Sequence, residues 1–177
     1  VAQGSEVCNL LSWMIYDQNF GIDIALVKGY LCAGDIEEGK FALSHLDAVV
    51  SENKSLWKTT MLGSSVVTLI NTGVAAGILA SSGGELHYPY AAGLKFDVIT
   101  KPSPMVSNVR VLASGGRWIP IVNDKLYTVV TTSDTLASSS VAEDMGTTLK
   151  EQVAGYAEDW DVFYKMSNDK ASTQSFS

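Results

Sequence analysis

The pattern of apolar and polar residues predicts that the chain begins with an amphipathic helix followed by a buried strand. Apolar residues first recur at positions i, i+3, i+4, i+7 and i+8, which places them on one face of a helix: Val7, Leu10, Leu11, Met14 and Ile15. We expect this helix to run from Ser5, a suitable N-cap, to about Asn19, before the stop signal Gly21. Residues 22–27 are nearly all apolar and lie between two glycines, which is typical of a buried strand.

The middle of the chain alternates between helical and strand patterns. Residues 35–50 carry apolar side chains at a roughly helical spacing, and residues 56–62 have the composition of a strand. The Gly-Ser-Ser sequence of residues 63–65 then ends the strand and begins a helix. We expect this helix to continue to Leu79, although it contains two internal glycines.

Residues 88–137 contain the strongest strand signals in the chain. Apolar residues alternate with polar ones through residues 94–98 and 109–111, and residues 126–130 form a β-branched and aromatic run. Turn-forming residues separate these runs: Pro102, Pro104, Gly115, Gly116, Asn123 and Asp124. The segment therefore predicts a strand, a loop, a hairpin and a further strand that together form one meander.

The carboxyl-terminal part predicts a loop, a last helix and a polar tail. Residues 138–140 are three serines, and an apolar stripe along residues 147–160 indicates a helix. Residues 167–177 are polar, so we expect one domain over residues 1–166 followed by a tail. Helices and strands alternate before and after the meander, which is typical of a mixed α/β or α+β domain with helices covering a largely β core.

The charge and hydropathy of the chain argue against nucleic-acid binding and against a membrane-spanning helix. The chain has 12 basic and 19 acidic residues and a net charge of −7, whereas a nucleic-acid-binding protein needs a basic face. Arg110 and Arg117 are the only arginines, so ten of the basic residues are lysines. No run approaches the roughly 18–20 apolar residues that a membrane-spanning helix requires. We therefore expect neither nucleic-acid binding nor a membrane span.

The sequence leaves two covalent features undecided: the state of the two cysteines and the glycosylation of one asparagine. Cys8 and Cys32 form neither a metal-binding quartet nor a CxxC pair; they predict either one disulfide in a secreted chain or two buried thiols. Asn53, Lys54 and Ser55 form an N-x-S sequon, which makes Asn53 a glycosylation candidate if the chain is secreted by a eukaryote.

Several short motifs occur in an order that resembles the C-terminal domain of the 5′-nucleotidase family. The opening helix is similar to a Gly-Asn-Leu helix of that domain, and residues 34–36 are similar to its G-D-I step. Further matches are Asp23-Ile24-Ala25-Leu26 to its first buried strand, Met61-Leu62-Gly63 to its T-G step, Ala92-Gly93-Leu94-Lys95-Phe96 to S-G-L-R-F, Leu126-Tyr127-Thr128-Val129 to a Y-T-V strand, and Ser133-Asp134-Thr135-Leu136-Ala137 to N-D-Y-L-A. The resemblance covers residues 5–137.

The resemblance implies a layered α/β/β/α domain with mixed sheets and a specific division of labour. In this family, two metal ions lie on a separate N-terminal domain, while the C-terminal domain binds the substrate with stacked aromatic rings and arginine clamps on the phosphate. The chain has only two histidines, His45 and His87, so we expect it to build no dinuclear metal site. We expect no cofactor, no bound metal and no catalytic residue in this chain.

Several of the family's substrate-binding positions are changed. Residues 27–32 replace an N-x-G-G-x-R step without an arginine, residues 50–53 keep only Asn53 of a P-F-G-N step, and residues 138–141 replace an acidic G-G-D-G turn. An aromatic residue is retained just before the Ala92-Gly93 match. The candidate ligand-binding residues are therefore Tyr88, Tyr90, Asn53 and His87. The two tyrosines also fit a second interpretation, as aromatic residues packed against the Gly93 turn.

Three candidate functions follow from this resemblance and from the loss of several substrate-binding residues. The first is a pseudoenzyme: a non-catalytic 5′-nucleotidase C-terminal-like domain with a structural or interaction role in an extracellular, periplasmic or cell-surface protein or assembly. The second is the substrate-binding half of a 5′-nucleotidase-type phosphoric ester hydrolase whose metal domain is on another chain or removed. The third is a small-ligand module that binds a nucleotide or nucleoside.

Overall fold

The computed structural model describes residues 6–34, 48–79, 87–136 and 142–157. These residues form three α-helices and eight β-strands, in the order α1 (Glu6–Gln18), β1 (Ile24–Lys28), β2 (Ser55–Leu62), α2 (Gly63–Leu79), β3 (Pro89–Ala92), β4 (Leu94–Ile99), β5 (Met105–Leu112), β6 (Trp118–Pro120), β7 (Leu126–Thr132), β8 (Glu143–Thr148) and α3 (Leu149–Ala157). Short 3-10 helices follow β1 (Gly29–Leu31) and β7 (Ser133–Leu136).

The strands form two sheets. A five-stranded sheet has the order β3-β1-β7-β2-β8, and a three-stranded sheet has the order β4-β5-β6. Strands β1 and β7 are parallel, whereas every other pairing is antiparallel, so the larger sheet is mixed. The prediction of a mixed α/β domain with helices on a largely β core is confirmed.

Apolar side chains cover both faces of the five-stranded sheet. On one face, α1 and α3 contribute Leu11, Met14 and Val153 to a cluster with Val27 and Val130 of the sheet. On the other face, α2 and the inner side of the three-stranded sheet pack against a second set that includes Ile24, Leu26, Ile70, Phe96 and Tyr127. Because β1 is buried on both faces, its near-continuous apolar sequence is explained by a central position in the sheet.

The predicted helices agree with the structure where it describes them. Helix α1 buries Val7, Leu11, Met14 and Ile15 of the expected stripe and leaves Leu10 half-buried, and α2 is one continuous helix that reaches Leu79. Gly73 lies inside α2, where a Cβ atom would come within 3.1 Å of the Pro89 ring. The glycine therefore allows α2 to pack closely against the start of β3.

The prediction of a single meander over residues 88–137 is wrong in one respect. Strands β4, β5 and β6 do form a meander, but β3 and β7 belong to the five-stranded sheet. The chain changes sheets at Gly93, which has a φ of 75° and lies against the Asp23 carbonyl and the Tyr16 ring. Periodicity identifies strands but does not assign them to sheets, because the assignment depends on long-range pairing.

The sequence patterns did not identify strand β8. Its residues, Glu143–Thr148, are polar and contain a glycine, so they carry no apolar alternation. It forms an edge of the sheet, paired only with β2 among the described strands, and such a position needs little apolar surface. Helix α3 accordingly begins at Leu149, where Thr148 and Glu151 exchange capping hydrogen bonds.

Some expectations concern residues outside the described part of the chain. These are most of the helix expected at 35–50, His45, the serine loop at 138–140 and the polar tail at 167–177. The domain boundary at residue 166 also stays a prediction.

Candidate functional site

The carboxyl ends of β1 and β7 bring several polar side chains together. Because β1 and β7 are parallel, the residues that follow them lie at the same end of the sheet. Strand β2 is antiparallel to β7, so its first residues also lie there. We call the resulting group the strand-end cluster; it comprises Lys28, Tyr30, Ser51, Asn53 and Asp134. Ligands of α/β proteins commonly bind outside the carboxyl ends of parallel strands.

An ion pair lies at the centre of the strand-end cluster. The Lys28 ammonium is 3.2 Å from Oδ2 of Asp134, and each side chain is 28% exposed. The Tyr30 hydroxyl donates a hydrogen bond to the same oxygen. Lys28 is the last residue of β1, Tyr30 lies in the following 3-10 helix, and Asp134 lies in the 3-10 helix after β7. One carboxylate oxygen therefore receives a charged and a neutral donor.

The surroundings shift the pKa of both acidic partners. For Asp134, desolvation raises the pKa, but hydrogen bonding, chiefly from Tyr30, and the charge of Lys28 together hold it below its usual value. For Tyr30, desolvation and the hydrogen bond to Asp134 both raise the pKa of the phenol. Tyr30 is therefore a neutral donor and Asp134 an anionic acceptor at neutral pH.

Backbone contacts hold the turn that carries Tyr30. The Ser51 amide donates to the Leu31 carbonyl at 3.1 Å, and the Ser51 hydroxyl donates to the Tyr30 carbonyl. Cys32 forms an isolated antiparallel bridge with Val50. The structure also joins Cys32 to Cys8 of α1 in a disulfide, with Cα atoms 5.5 Å apart. The turn after β1 is therefore tied both to the segment before β2 and to the first helix.

A second ion pair lies beside the cluster. The Lys54 ammonium is 2.8 Å from Oε2 of Glu52. Between them, exposed Asn53 accepts a hydrogen bond through Oδ1 from the Lys150 backbone amide at 3.1 Å. These contacts connect the start of β2 to the first turn of α3, and Asn53 acts as a link between these two elements.

The structure buries the two predicted tyrosines instead of presenting them at the strand-end cluster. Tyr88 is 7% exposed and Tyr90 is 4% exposed, and their rings meet edge to face with centroids 5.3 Å apart. Burial, with a smaller effect of Tyr90, raises the pKa of the Tyr88 phenol. The Tyr88 carbonyl does reach the cluster, because it accepts a hydrogen bond from the Gly29 amide at 3.0 Å. The neighbouring His87 is exposed. Ligand binding by these residues stays a prediction.

Sequence reasoning did not identify Lys28, Tyr30 and Asp134 as an interacting group. Each residue lies in a motif already considered: Lys28 and Tyr30 in the altered step after the first strand, and Asp134 in the Ser133–Ala137 match. A signal was therefore present in both motifs. Their contact depends on the parallel pairing of β1 with β7, which motif spacing alone does not reveal.

A shallow groove of about 460 Å³ lies next to the cluster, between α2 and the 3-10 helix that carries Asp134. Met61, Leu69 and Leu136 supply apolar surface, and Ser64, Thr68 and Thr72 supply oxygens. The Thr68 and Thr72 hydroxyls each donate to a carbonyl one turn earlier in α2, at 2.9 Å. These two side chains therefore present acceptor oxygens to a ligand in the groove, but no free hydroxyl proton.

The described residues do not supply the ligands for a pair of metal ions, which the family resemblance places on a separate domain. Among them, no three His, Cys, Asp or Glu side chains are grouped so as to hold a metal ion. None of the helices in the described ranges has the length and apolar character needed to cross a membrane.

Comparisons with known proteins support the resemblance read from the motifs. The family model described as the 5′-nucleotidase C-terminal domain matches residues 2–140. A comparison with curated protein sequences gives no significant match.

Three solved structures share the fold at low sequence identity. The NAD nucleotidase of Haemophilus influenzae has a TM-score of 0.74 at 17% identity, over 97% of this chain and 32% of its own. A 5′-nucleotidase precursor from Thermus thermophilus gives 0.67 at 17% identity, over 88% and 32%. A sulfate thiohydrolase from the same organism, in complex with glycerol, gives 0.64 at 16% identity, over 84% and 28%. The chain thus spans about a third of the length of these neighbours.

Proposed function

The chain belongs to the family of 5′-nucleotidase C-terminal domains, and on this premise we propose that it acts as a non-catalytic member with a structural or interaction role. The observation that carries the proposal is the ion pair between Lys28 and Asp134 at the strand ends. A substrate-binding domain of this family needs cations that are free to contact the phosphate. Here the cation that ends β1 already has a carboxylate partner.

Another cation at this end of the sheet, Lys54, is neutralised in the same way. Lys54 pairs with Glu52, and these two pairs are the ion pairs found within the described ranges. A phosphate that approached either lysine would meet a carboxylate of its own charge sign, and like charges at contact distance disfavour binding. The altered step after β1 also contains no arginine to replace them. We infer that the strand-end cluster stabilises the domain and does not hold a nucleotide phosphate.

We propose an extracellular, periplasmic or cell-surface location. The disulfide between Cys8 and Cys32 supports this location, because disulfides persist mainly in oxidising compartments. The partner on this proposal is another protein or a larger assembly.

Calorimetry with inorganic phosphate, AMP and adenosine, together with assays of phosphate release, tests the proposed function. We expect the wild-type chain to show no binding heat at millimolar ligand and no phosphate release from AMP or UDP-glucose with added Mn²⁺ or Zn²⁺. Asp134→Asn removes the charge that neutralises Lys28, so it should gain measurable phosphate binding. Asp124→Asn makes the same charge change at an exposed turn residue and should not. Phosphate release by the wild-type chain would contradict the proposal.

The second candidate is the substrate-binding half of a nucleotidase-type hydrolase. The supporting observation is that the chain spans about a third of its structural neighbours. This candidate requires a metal-binding phosphatase domain on a separate chain, which should co-purify from the native source. Nucleotidase activity that depends on both chains would favour it, and a native preparation without such a partner would oppose it.

Adenosine binding without phosphate binding would favour the third candidate, a nucleoside module. Adenosine carries no phosphate, so the pairing of Lys28 does not oppose it. On this candidate, Tyr88, Tyr90, His87 and Asn53 are the proposed contacts. The two tyrosine rings would first have to leave the apolar cluster in which they are packed. Absence of heat with millimolar adenosine would exclude this candidate.

A further inference from the structure

The outer face of the three-stranded sheet combines cationic and apolar side chains. Leu94, Phe96 and Val98 of β4 are buried, so the alternate residues of this strand point away from the core. The register places Lys95 beside Arg110, Arg110 beside Pro120, and Ile99 beside Met105. We use the term outer face for the set Lys95, Asp97, Ile99, Met105, Arg110, Leu112, Trp118 and Pro120. Met105 is 48% exposed, and Arg110 and Pro120 are exposed.

Positive charge is concentrated in this layer of an otherwise acidic chain. Residues 94–127 contain five basic residues against the two carboxylates Asp97 and Asp124, which is a net charge of +3. Because the whole chain has a net charge of −7, the residues outside this range carry a net charge of −10. The five cations are Lys95, Lys101, Arg110, Arg117 and Lys125, and they include both arginines of the chain.

These five cations have no ion-pair partner in the described part of the chain, where the ion pairs involve Lys28 and Lys54. Three of the five are nevertheless held in place by neighbours; the Lys125 ammonium lies 5.0 Å from the centroid of the Tyr127 ring, and the other two belong to the outer face. The Lys95 ammonium lies 4.3 Å from the centroid of the Trp118 ring. Nε of Arg110 donates to Oδ1 of Asn108 at 3.0 Å, and Nδ2 of Asn108 donates to Asp97 at 2.9 Å. The positive charge of Lys95 and Arg110 is thus oriented while remaining available to a partner.

We propose that the outer face is a docking surface for a partner protein whose contact surface is acidic. Trp, Met and Arg are enriched in protein interfaces, and Trp and Arg are common among the residues that dominate binding energy. Trp118, Met105 and Arg110 supply all three types on one face. On the outer face itself, Lys95 and Arg110 outnumber the one carboxylate, Asp97, which is a net charge of +1 and supplies electrostatic complementarity to carboxylates; Lys101 and Arg117 add positive charge in the turns that flank the face. This surface is distinct from the strand-end cluster and does not depend on the function proposed for it.

Two other polyanions fit the same face less well. A sulfated polysaccharide would gain little from the apolar residues Ile99, Met105 and Leu112. An anionic membrane would be repelled by the acidic remainder of the chain. A protein surface offers both carboxylates and apolar groups, so it matches the whole face.

Binding of defined polymers to the full chain tests the proposal. The probes are a random copolymer of glutamate and tyrosine, poly-L-glutamate, heparin and phosphatidylserine vesicles, each measured by calorimetry at low salt and at physiological salt. We expect the copolymer to bind most tightly and to weaken with salt. The double variant Lys95→Glu/Arg110→Glu should lose at least tenfold in affinity. The matched variant Lys58→Glu/Lys150→Glu, on the five-stranded sheet and α3, should change it less than twofold.

A neutral substitution separates protein-like docking from charge attraction alone. Trp118→Ala should remove the preference for the copolymer over poly-L-glutamate, because it deletes apolar contact area at constant charge. Thermal melting checks that each variant is folded; if the double variant is not, the exposed single changes Arg110→Glu and Arg117→Glu take its place. The proposal is overturned if heparin or the vesicles bind more tightly than the copolymer, if both charge variants lose equal affinity, or if no probe binds.

Discussion

Lys28 and Asp134 are 106 residues apart in the sequence, yet their side chains form an ion pair of 3.2 Å where two parallel strands end. Tyr30 donates a second hydrogen bond to the same carboxylate oxygen. Parallel strands necessarily place their carboxyl ends side by side, so the pair is a direct consequence of β1 lying next to β7. The contact joins the turn after the first strand to the turn after the seventh.

The first prediction concerns the pH dependence that Asp134 confers on stability. Its pKa is lowered in the folded state, so its stabilising contribution is present above the unfolded pKa and is lost as the pH falls through the folded pKa. Asp134→Ala should lower the free energy of unfolding by about 2 kcal/mol at pH 7. The difference from wild type should shrink steadily as the pH is lowered through the acidic range.

Urea unfolding of both proteins across this pH range measures the difference. Asp124→Ala is the matched control, because Asp124 is an exposed acidic turn residue. A deficit in Asp134→Ala that is constant at all pH values would show that the carboxylate charge does not contribute to stability.

The second prediction concerns the step between the two sheets at Gly93. A Cβ atom there would overlap the Asp23 carbonyl and lie 2.5 Å from a Tyr16 ring carbon, at a φ of 75°. Gly93→Ala combines a left-handed backbone with a clash against rigid atoms, so it should destabilise the domain by more than about 3 kcal/mol.

Gly115 provides a control that isolates the backbone effect. It has a φ of 92°, but nothing lies within 4 Å of a Cβ atom at that position. Gly115→Ala should therefore cost only about 1–2 kcal/mol in a thermal or urea unfolding measurement. Equal losses in the two variants would mean that the packing at Gly93 is looser than the structure indicates.

The third prediction concerns the bond between Cys8 and Cys32, which are 24 residues apart. Because the bond restricts the unfolded chain, Cys8→Ser/Cys32→Ser should lower the free energy of unfolding by about 3 kcal/mol. The same loss should follow reduction of the wild-type protein. Thiol titration of the unreduced, denatured chain should find no free thiol, and two reactive thiols would contradict the assignment.

The fourth prediction concerns Asn53 as a glycan acceptor. Its side chain is exposed in the segment before β2, and the sequon continues with Lys54 and Ser55. Secretion from a eukaryotic host should add the mass of one N-linked glycan, and an amidase should remove it. Asn53→Gln and Ser55→Ala should each abolish the added mass. A protein secreted without the added mass would exclude this site.

The strand-end cluster and the outer face show which features of the molecule could be predicted from the sequence and which could not. The motifs that contain Lys28 and Asp134 were recognisable, but their contact required knowledge of which strands are neighbours. Likewise, the positions of Lys95, Arg110 and Trp118 in strands were predictable. That Met105 lies on the same face was not, because a bulge between Lys95 and Asp97 shifts the register of β4 against β5.

Within the described residues, the sequence alone determined which segments form helices and strands wherever apolar periodicity was present, together with the family and the mixed α/β class. These properties depend on local spacing and on motif order, both of which are visible in one dimension. Only the tertiary structure decided that Gly93 separates two sheets, that Tyr88 and Tyr90 are buried, and that Lys28 is neutralised by Asp134. Each of these depends on which distant segments become neighbours in space, and the packing of the whole domain determines that arrangement.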